Sequence, residues 1–492
     1  MEKNTIVISK KTASNMRSLD VSGDIIVPDI KPDIVSIIDS NGIAYIYKEE
    51  VSNGRVRFDG NVDMYIVYLA DNGETRSIQT TLNFVETFED SSINESSIIK
   101  QKIILDSVDA KVLNERKISL SSTVRVQTEV FENSELEIPE DFNEFENIEK
   151  LQETLEIKSV VGRNKNKTTI KEDIKVDNSL EIAEILKVEV EVSNLENKIS
   201  YNKVLAKADA NIKILFSTEN GKISSVNTTI PIMSFIDINQ IVDGNICNIE
   251  YKIKNMLFKV NSKEMHSIST QIEFEVVCEA YDIKKINIIQ DMYGTKEELK
   301  FSKKEIGVQT NKLEKVEKIN LNERVLVEDI LNIYDVKCQP RMLKSNQAGS
   351  FYNCECELNL TFYYEADNRS GLNVKNIIVP FVLKGIETPD KLEFKINNKK
   401  FTVNGENVDC DVEILYKENC DCLKNISIIE NVEKQELTEN NDYKMVMYFV
   451  KSGDTLWNIA KQFKVCMNDI INLNSLENPD RIKPGDRLYI MR

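Results

Sequence analysis

The 492-residue chain is poor in the side chains that most active sites rely on. It has one histidine, His266, and one tryptophan, Trp457. A single imidazole excludes every site that needs two, and any Ser-His or Cys-His pair not built on His266. Excess positive charge is also missing: 63 Lys and Arg face 81 Asp and Glu, a formal net charge of −18. That argues against a nucleic-acid partner and against broad adhesion to anionic membranes. No apolar run approaches the ~18 residues of a membrane span, and Met1–Lys11 lacks the apolar core of a signal peptide, so no membrane insertion is expected. The nine cysteines are odd in number and absent before Cys247. This is a poor disulfide framework, and the expected compartment is a reducing cytosol. No P-loop, G-x-G-x-x-G, H-E-x-x-H or G-x-S-x-G string occurs, so no enzyme, catalytic residue or cofactor is expected.

What the chain does have is a repeat. Residues 34–84 align without a gap on 182–232, a spacing of 148. Val62, Met64, Ile66 and Tyr68 alternate along one face of an expected strand; Ala210, Ile212, Ile214 and Phe216 are their counterparts. Each strand meets an Asn-Gly turn, Asn72-Gly73 or Asn220-Gly221, and continues through a Thr-Thr pair into a second strand. Period-two alternation around Asn-Gly is a strong hairpin signal. A third copy alternates Cys356, Leu358, Leu360, Phe362 and Tyr364, then turns through Asp367–Gly371. Upstream, Ile185-Leu186 and Ile330-Leu331 fall opposite Ile37-Ile38, and Val124 and Val126 shift onto Ile272 and Phe274. Strands with one apolar face must pack that face on another layer, so each unit should be a β-sandwich or a partly closed barrel. Glu132–Glu156, with ten acidic residues and one lysine, reads as a solvated loop or helix, or as an acidic helix for a partner.

Val27-Pro28-Asp29-Ile30-Lys31-Pro32-Asp33-Ile34 stands out in the first copy alone. Its two prolines predict a rigid extended crossing. This string, with the hairpin after it, resembles the SPOCS domain of spore-coat and sporulation proteins.

The last residues differ in kind. Val446–Val450 reads as a strand, Asp454 as an N-cap, and Thr455 as the start of a helix with Leu456, Ile459, Ala460 and Phe463 on its buried stripe. A second short helix spans Asn468–Asn474, and Arg487–Ile490 closes a βααβ order. The string Val450-Lys451-Ser452-Gly453-Asp454-Thr455-Leu456-Trp457-Asn458-Ile459-Ala460, with Asn478-Pro479 and Pro484-Gly485-Asp486-Arg487-Leu488, closely resembles the LysM domain. LysM domains bind N-acetylglucosamine polymers such as peptidoglycan. The resemblance implies a groove walled by Gly453, Asp454, Thr455 and Leu456 on one side. Asn474, Leu476, Asn478, Pro479 and Ile482 form the other wall, and Trp457 is either an exposed anchor or half-buried core. Cys466 stands where the family has Ser or Thr as the second helix cap.

The combination resembles the SipL-like spore coat morphogenetic family. The expected organisation is mainly β: SPOCS-like units over 1–165, 166–312 and 313–430, a linker over 431–446, and a small α+β LysM domain over 447–492, on an elongated acidic body. The resemblance implies a non-enzymatic scaffold in the mother-cell cytoplasm at the forespore surface. Its LysM domain would grip the polymerising ATPase of the coat basement layer, and the SPOCS units other coat proteins, in support of forespore encasement. The alternative is a peptidoglycan-binding protein of the spore envelope. His266 reads as an ordinary loop residue. The Cys354/Cys356 and Cys420/Cys422 pairs lack good zinc spacing, so no metal is expected.

Overall fold

A computed structural model describes residues 3–139, 141–142, 145–261, 265–310, 316–367, 369–389, 392–418, 423–435 and 445–491. The chain is mainly β, with two short helices near its end. The first unit comprises β1 (Lys3–Ile26), β2 (Ile34–Ser52), β3 (Arg55–Ala70), β4 (Thr75–Glu89), β5 (Ile98–Asn114) and β6 (Lys117–Pro139). They form two antiparallel sheets, β1-β6-β5 and β2-β3-β4, packed as a sandwich. The second repeats this plan with β7 (Ile148–Lys175), β8 (Ile182–Ser200), β9 (Lys203–Thr218), β10 (Ile223–Asp237), β11 (Ile246–Val260) and β12 (Ser267–Gly294). In the third, β15 (Ile330–Ala348), β16 (Phe351–Ala366) and β17 (Arg369–Ile386) face β14 (Val316–Leu326), β19 (Asn407–Glu418) and β18 (Leu392–Asn404). Here the two long strands are divided, and β13 (Glu298–Gln309) pairs with β20 (Leu423–Gln435) as a separate ribbon.

The alternating residues sit where the pattern puts them. Val62, Met64, Ile66 and Tyr68 are buried in the first core, Ala210, Ile212, Ile214 and Phe216 in the second, and Cys356, Leu358, Leu360 and Phe362 in the third. One correspondence shifts. Ile37 pairs with Tyr68, Ile185 with Phe216 and Ile333 with Tyr364, so Ile333-Tyr334, not Ile330-Leu331, match Ile37-Ile38. Bulges early in β2, β8 and β15 fall at equivalent places 148 apart, so the constant spacing holds through them. The cuts shift as well. A boundary at 165/166 would divide β7, and Glu298–Gln309 pairs with the third unit. Of the expected linker, Asn431–Gln435 belongs to β20 and 445–446 to the next strand; residues 436–444 lie outside the described residues.

The acidic stretch Glu132–Glu156 holds no helix where it is described, and it is loop only at 141–142 and 145–147, where Glu146 and Asn147 are exposed. The rest is the end of β6 and the start of β7, where Leu136, Ile138 and Leu155, and Ile157 just beyond, alternate with the acidic side chains. These strands run beyond their sandwiches as two-stranded ribbons, and the three ribbons meet. Ile6, Ile8, Leu136 and Ile138 of the first unit pack with Leu155, Ile157, Ile286 and Ile288 of the second and Ile306, Val308, Ile426 and Ile428 of the third. The body is therefore three sandwiches gathered around a shared core, not a string of independent beads.

A second junction lies where the hairpin sheets meet. Val67, Leu215 and Tyr363, spaced 148 apart, are buried together on faces that the alternation alone would leave to solvent. Beside them, three more residues at the same spacing, Asp39, Lys187 and Asp335, form a polar knot. Lys187 Nζ donates to Asp335 Oδ2 (2.7 Å) and pairs with Glu189 (2.6 Å); Lys213 also bonds Asp335. The Tyr363 hydroxyl donates to Asp39 (2.8 Å), and the Lys187 ammonium lies 4.1 Å from the Tyr363 ring centroid. Burial opposes the charge on Lys187, but Glu189 and Asp335 hold its pKa above the ordinary lysine value. Burial also opposes the charge on Asp335, yet Lys187 and Lys213 hold it below the carboxylate range. The Asp335 contribution is thus present above the ordinary carboxylate pKa of about 4 and lost as pH falls through the depressed value.

The Pro28–Pro32 string is a turn and not an extended crossing. The Lys31 N–H donates to the Pro28 carbonyl (2.9 Å). Arg116, in the β5–β6 turn, donates to the carbonyls of Val27, Pro28 and Lys31 and to the Asp33 carboxylate, at 2.8–3.0 Å. Lys31 reaches across to Glu184 of the second unit (2.6 Å). His266 stands where Arg116 stands: its Nδ1 lies 3.0 Å from the Leu180 carbonyl, in a turn whose backbone bonds repeat those of the first.

Removing one partner of a buried ion pair costs about 3–5 kcal/mol, because the other charge is left uncompensated. Asp335→Ala is expected to lower stability by roughly 3 kcal/mol in chemical denaturation, and Lys187→Met/Asp335→Leu by less than the sum of the two single losses.

Candidate binding site on the C-terminal module

β21 (Met445–Phe449) pairs antiparallel with β22 (Arg487–Met491), and α1 (Leu456–Phe463) and α2 (Met467–Leu473) cover one side of the ribbon. The N-cap of α1 is Thr455, not Asp454: its hydroxyl accepts from the Asn458 N–H (3.1 Å). Asp454 closes the preceding turn instead, accepting from the Lys451 N–H and the Tyr448 hydroxyl, both at 2.8 Å. Those bonds, the backbone one first, hold the Asp454 pKa below the ordinary value. Gly453 takes φ 89°, a conformation that favours glycine. Cys466 occupies the N-cap of α2 without a side-chain cap bond.

The residues expected in the groove fall into three groups. Leu456 is buried in the module core, and Leu476 and Ile482 pack half-buried against it. Asn474 ties the end of α2 to β22, donating to the Ile470 and Tyr489 carbonyls (2.8 and 2.7 Å) and accepting from the Tyr489 N–H (2.7 Å). Gly453, Thr455 and Asn478 are exposed, while Pro479 opens the 3-10 turn Pro479–Arg481.

Trp457 belongs elsewhere. It is 8% exposed, and its indole N–H donates to Asp291 of β12 (2.9 Å). Lys461, one helical turn on, donates to both oxygens of the same carboxylate (2.7 Å). Tyr293, two residues along β12, packs edge-on against Trp457 with ring centroids 5.0 Å apart, and its hydroxyl donates to the Val465 carbonyl (2.8 Å). Trp457 is therefore neither an exposed anchor nor only a core residue: it fastens the module to the second unit. Burial alone would raise the Asp291 pKa, but Lys461 and Trp457 bind its charged form and hold it below the carboxylate range. Only a weak signal in the sequence points here. Asp291 and Tyr293 lie two apart on a strand, hence on one face, and Trp457 stands off the helix stripe.

Elsewhere the candidates are structural. Cys354 and Cys356 are buried in the third core, and Cys420 and Cys422 lie outside the described residues. Among the described residues no group of His, Cys, Asp and Glu is arranged to hold a metal, and no helix is long and apolar enough to cross a membrane. A cleft of about 570 Å³ opens where the three units meet, lined in part by Asn41, Glu189 and Lys337, again 148 apart.

Because the chain has one tryptophan, its fluorescence reports the docking. Asp291→Ala is expected to shift Trp457 emission to the red and raise its quenching by iodide, with the β-sheet circular dichroism unchanged. In the wild type the same change is expected only as pH falls below about 4, since a depressed carboxylate pKa places the stabilisation above the ordinary value.

The LysM domain family matches residues 448–490, and the SipL, SPOCS domain family matches residues 181–261. An uncharacterized protein of Bacillus subtilis, YkzQ, is 50% identical over 44 residues, which is 9% of this chain and 57% of that protein. The potassium binding protein Kbp of Escherichia coli O6:H1 is 34% identical over 111 residues, 22% of this chain and 72% of Kbp. No solved structure matches the chain significantly. Both matched families are non-catalytic binding domains and fit a sporulation coat-related protein. A SPOCS match inside a threefold β repeat and a LysM domain at the end together match a SipL-like protein with LysM.

Proposed function

We propose that the chain is a non-enzymatic scaffold of spore coat morphogenesis. Its LysM domain binds the polymerising ATPase of the coat basement layer, at the forespore surface in the mother cell, and the SPOCS units engage other coat proteins. The observation that carries this reading is the fixed presentation of the LysM domain. Trp457, Lys461 and Tyr293 fasten one side of it to the second unit, while Gly453, Thr455 and Asn478 stay exposed. A preorganised domain loses less freedom on binding than a free one, which favours capture of a large partner. In this reading Gly453, Asp454, Thr455, Leu456, Asn474, Leu476, Asn478, Pro479 and Ile482 shape the docking groove, and Trp457 orients it. The matched LysM family favours a second reading, in which the same groove takes an N-acetylglucosamine polymer of the spore envelope.

Two pull-downs separate the readings. The coat ATPase is expected to co-purify with the full chain and to be lost when residues 445–492 are deleted; undiminished recovery by the deletion would defeat the first reading. Co-sedimentation of the full chain with purified peptidoglycan, abolished by Asn478→Ala or by the deletion, would favour the second.

A further inference from the structure

Two apolar patches of opposite surrounding charge lie far apart in the chain. The first is the outer face of the LysM ribbon, away from its helices. Met445, Met447, Phe449, Tyr489 and Met491 point outward there, each 40–58% exposed, and Met445 pairs across the ribbon with Met491 and Met447 with Tyr489. Arg487, opposite Phe449, completes the face, so its six outward positions carry one cation and no carboxylate. Methionines adapt to irregular surfaces and are over-used at binding faces. This face is neither the expected groove nor the side fastened by Trp457.

The second patch is at the end of the first unit. Ile30 is 92% exposed at the tip of the Pro28–Lys31 turn, and Ile26, 71% exposed, precedes it. Backbone bonds from Val27 to Arg116 and from Ile34 to Glu115 bring the exposed Val35 and Leu113 to the same end. The four bonds of Arg116 hold this tip rigid, so binding through it orders little new chain. Four carboxylates lie at this end, Asp24, Asp29, Asp33 and Glu115, against two cations: Lys117 pairs with Asp24 (2.7 Å) and Arg116 with Asp33 (2.8 Å) and Asp29 (3.5 Å), while Lys31 pairs with Glu184 of the second unit, leaving a net negative margin. The second unit has no such tip: its equivalent turn carries Asp177, Asn178 and Ser179.

We propose that the chain assembles head to tail, the outer face of the LysM ribbon in one copy docking on the Pro28–Lys31 end of the first unit in the next. Both patches are exposed in one and the same copy, so the contact is between molecules. The occupant is a second copy because each patch supplies what the other lacks: apolar side chains of similar extent, and the opposite charge at the margin. Two different patches make a heterologous contact, which builds a ring or an open filament and not a two-fold dimer. Each patch is small, four or five apolar side chains, which places the contact in the weak class and makes assembly dependent on concentration.

The test uses the purified full chain alone, so it does not depend on the coat ATPase or on glycan. Sedimentation velocity between about 1 and 100 μM, the range in which weak interfaces exchange, is expected to show growth beyond a dimer, reduced by added salt. Met447→Glu and Ile30→Asp change exposed side chains, and each alone is expected to leave a monomer with unchanged circular dichroism. Mixed, the two variants retain one intact patch of each kind and are expected to give a dimer and nothing larger. A wild type that stays monomeric throughout overturns the proposal, as does Ile30→Asp assembling like the wild type, which would mean LysM faces meeting each other. Loss of ATPase recovery in Met447→Glu with no self-assembly of the wild type would assign the face to that protein and equally overturn it.

Discussion

Three two-stranded ribbons must bury their isoleucines, and none can do so by itself. A lone ribbon has no second layer and is marginal in water. Here each supplies four aliphatic side chains to one core, and burying each is worth about 1.5–3 kcal/mol relative to exposure. The continuous strands β1, β6, β7 and β12 carry this constraint from the junction into the first two sandwiches, and β13 and β20 bring the third. The position of every unit therefore depends on the other two. The Asp39, Lys187 and Asp335 knot adds direction to that constraint. At the equivalent positions the second unit carries Lys187 where the first and third carry Asp39 and Asp335, so the knot distinguishes the second unit from the other two.

The LysM domain inherits its orientation from the same strands. β12 passes through the junction at Ile286 and Ile288 and then presents Asp291 and Tyr293 to α1. Anything that reorients the ribbons would reorient the LysM groove. A small binding domain held this way acts as a directed end of the body, which is what the proposed scaffold role requires.

The sandwiches were legible because their signal is local. Period-two alternation and Asn-Gly turns act within a hairpin, and the 148-residue spacing carries them from copy to copy. The LysM domain was legible because its turn, helix and closing-strand residues sit in one short string. The shared core was hidden, since Ile138 and Ile157 lie in or just beyond a stretch with ten acidic residues and their partners are in other units. The burial of Tyr363 is hidden for a similar reason: its place in the alternation points to solvent, and residues of the other two units cover it. The Pro28–Pro32 string reads as an extended crossing, and the group that holds it as a turn, Arg116, is over 80 residues away. The role of Trp457 was barely legible, because Asp291 and Tyr293 on β12, over 160 residues away, determine it.

The claim that three units share one core is tested most directly by scanning calorimetry of the full chain with and without Ile157→Asp. A shared core predicts that this one change in the second unit lowers the melting of the whole β body as a single transition. Early melting of the second unit alone, with the first and third unchanged, would contradict it.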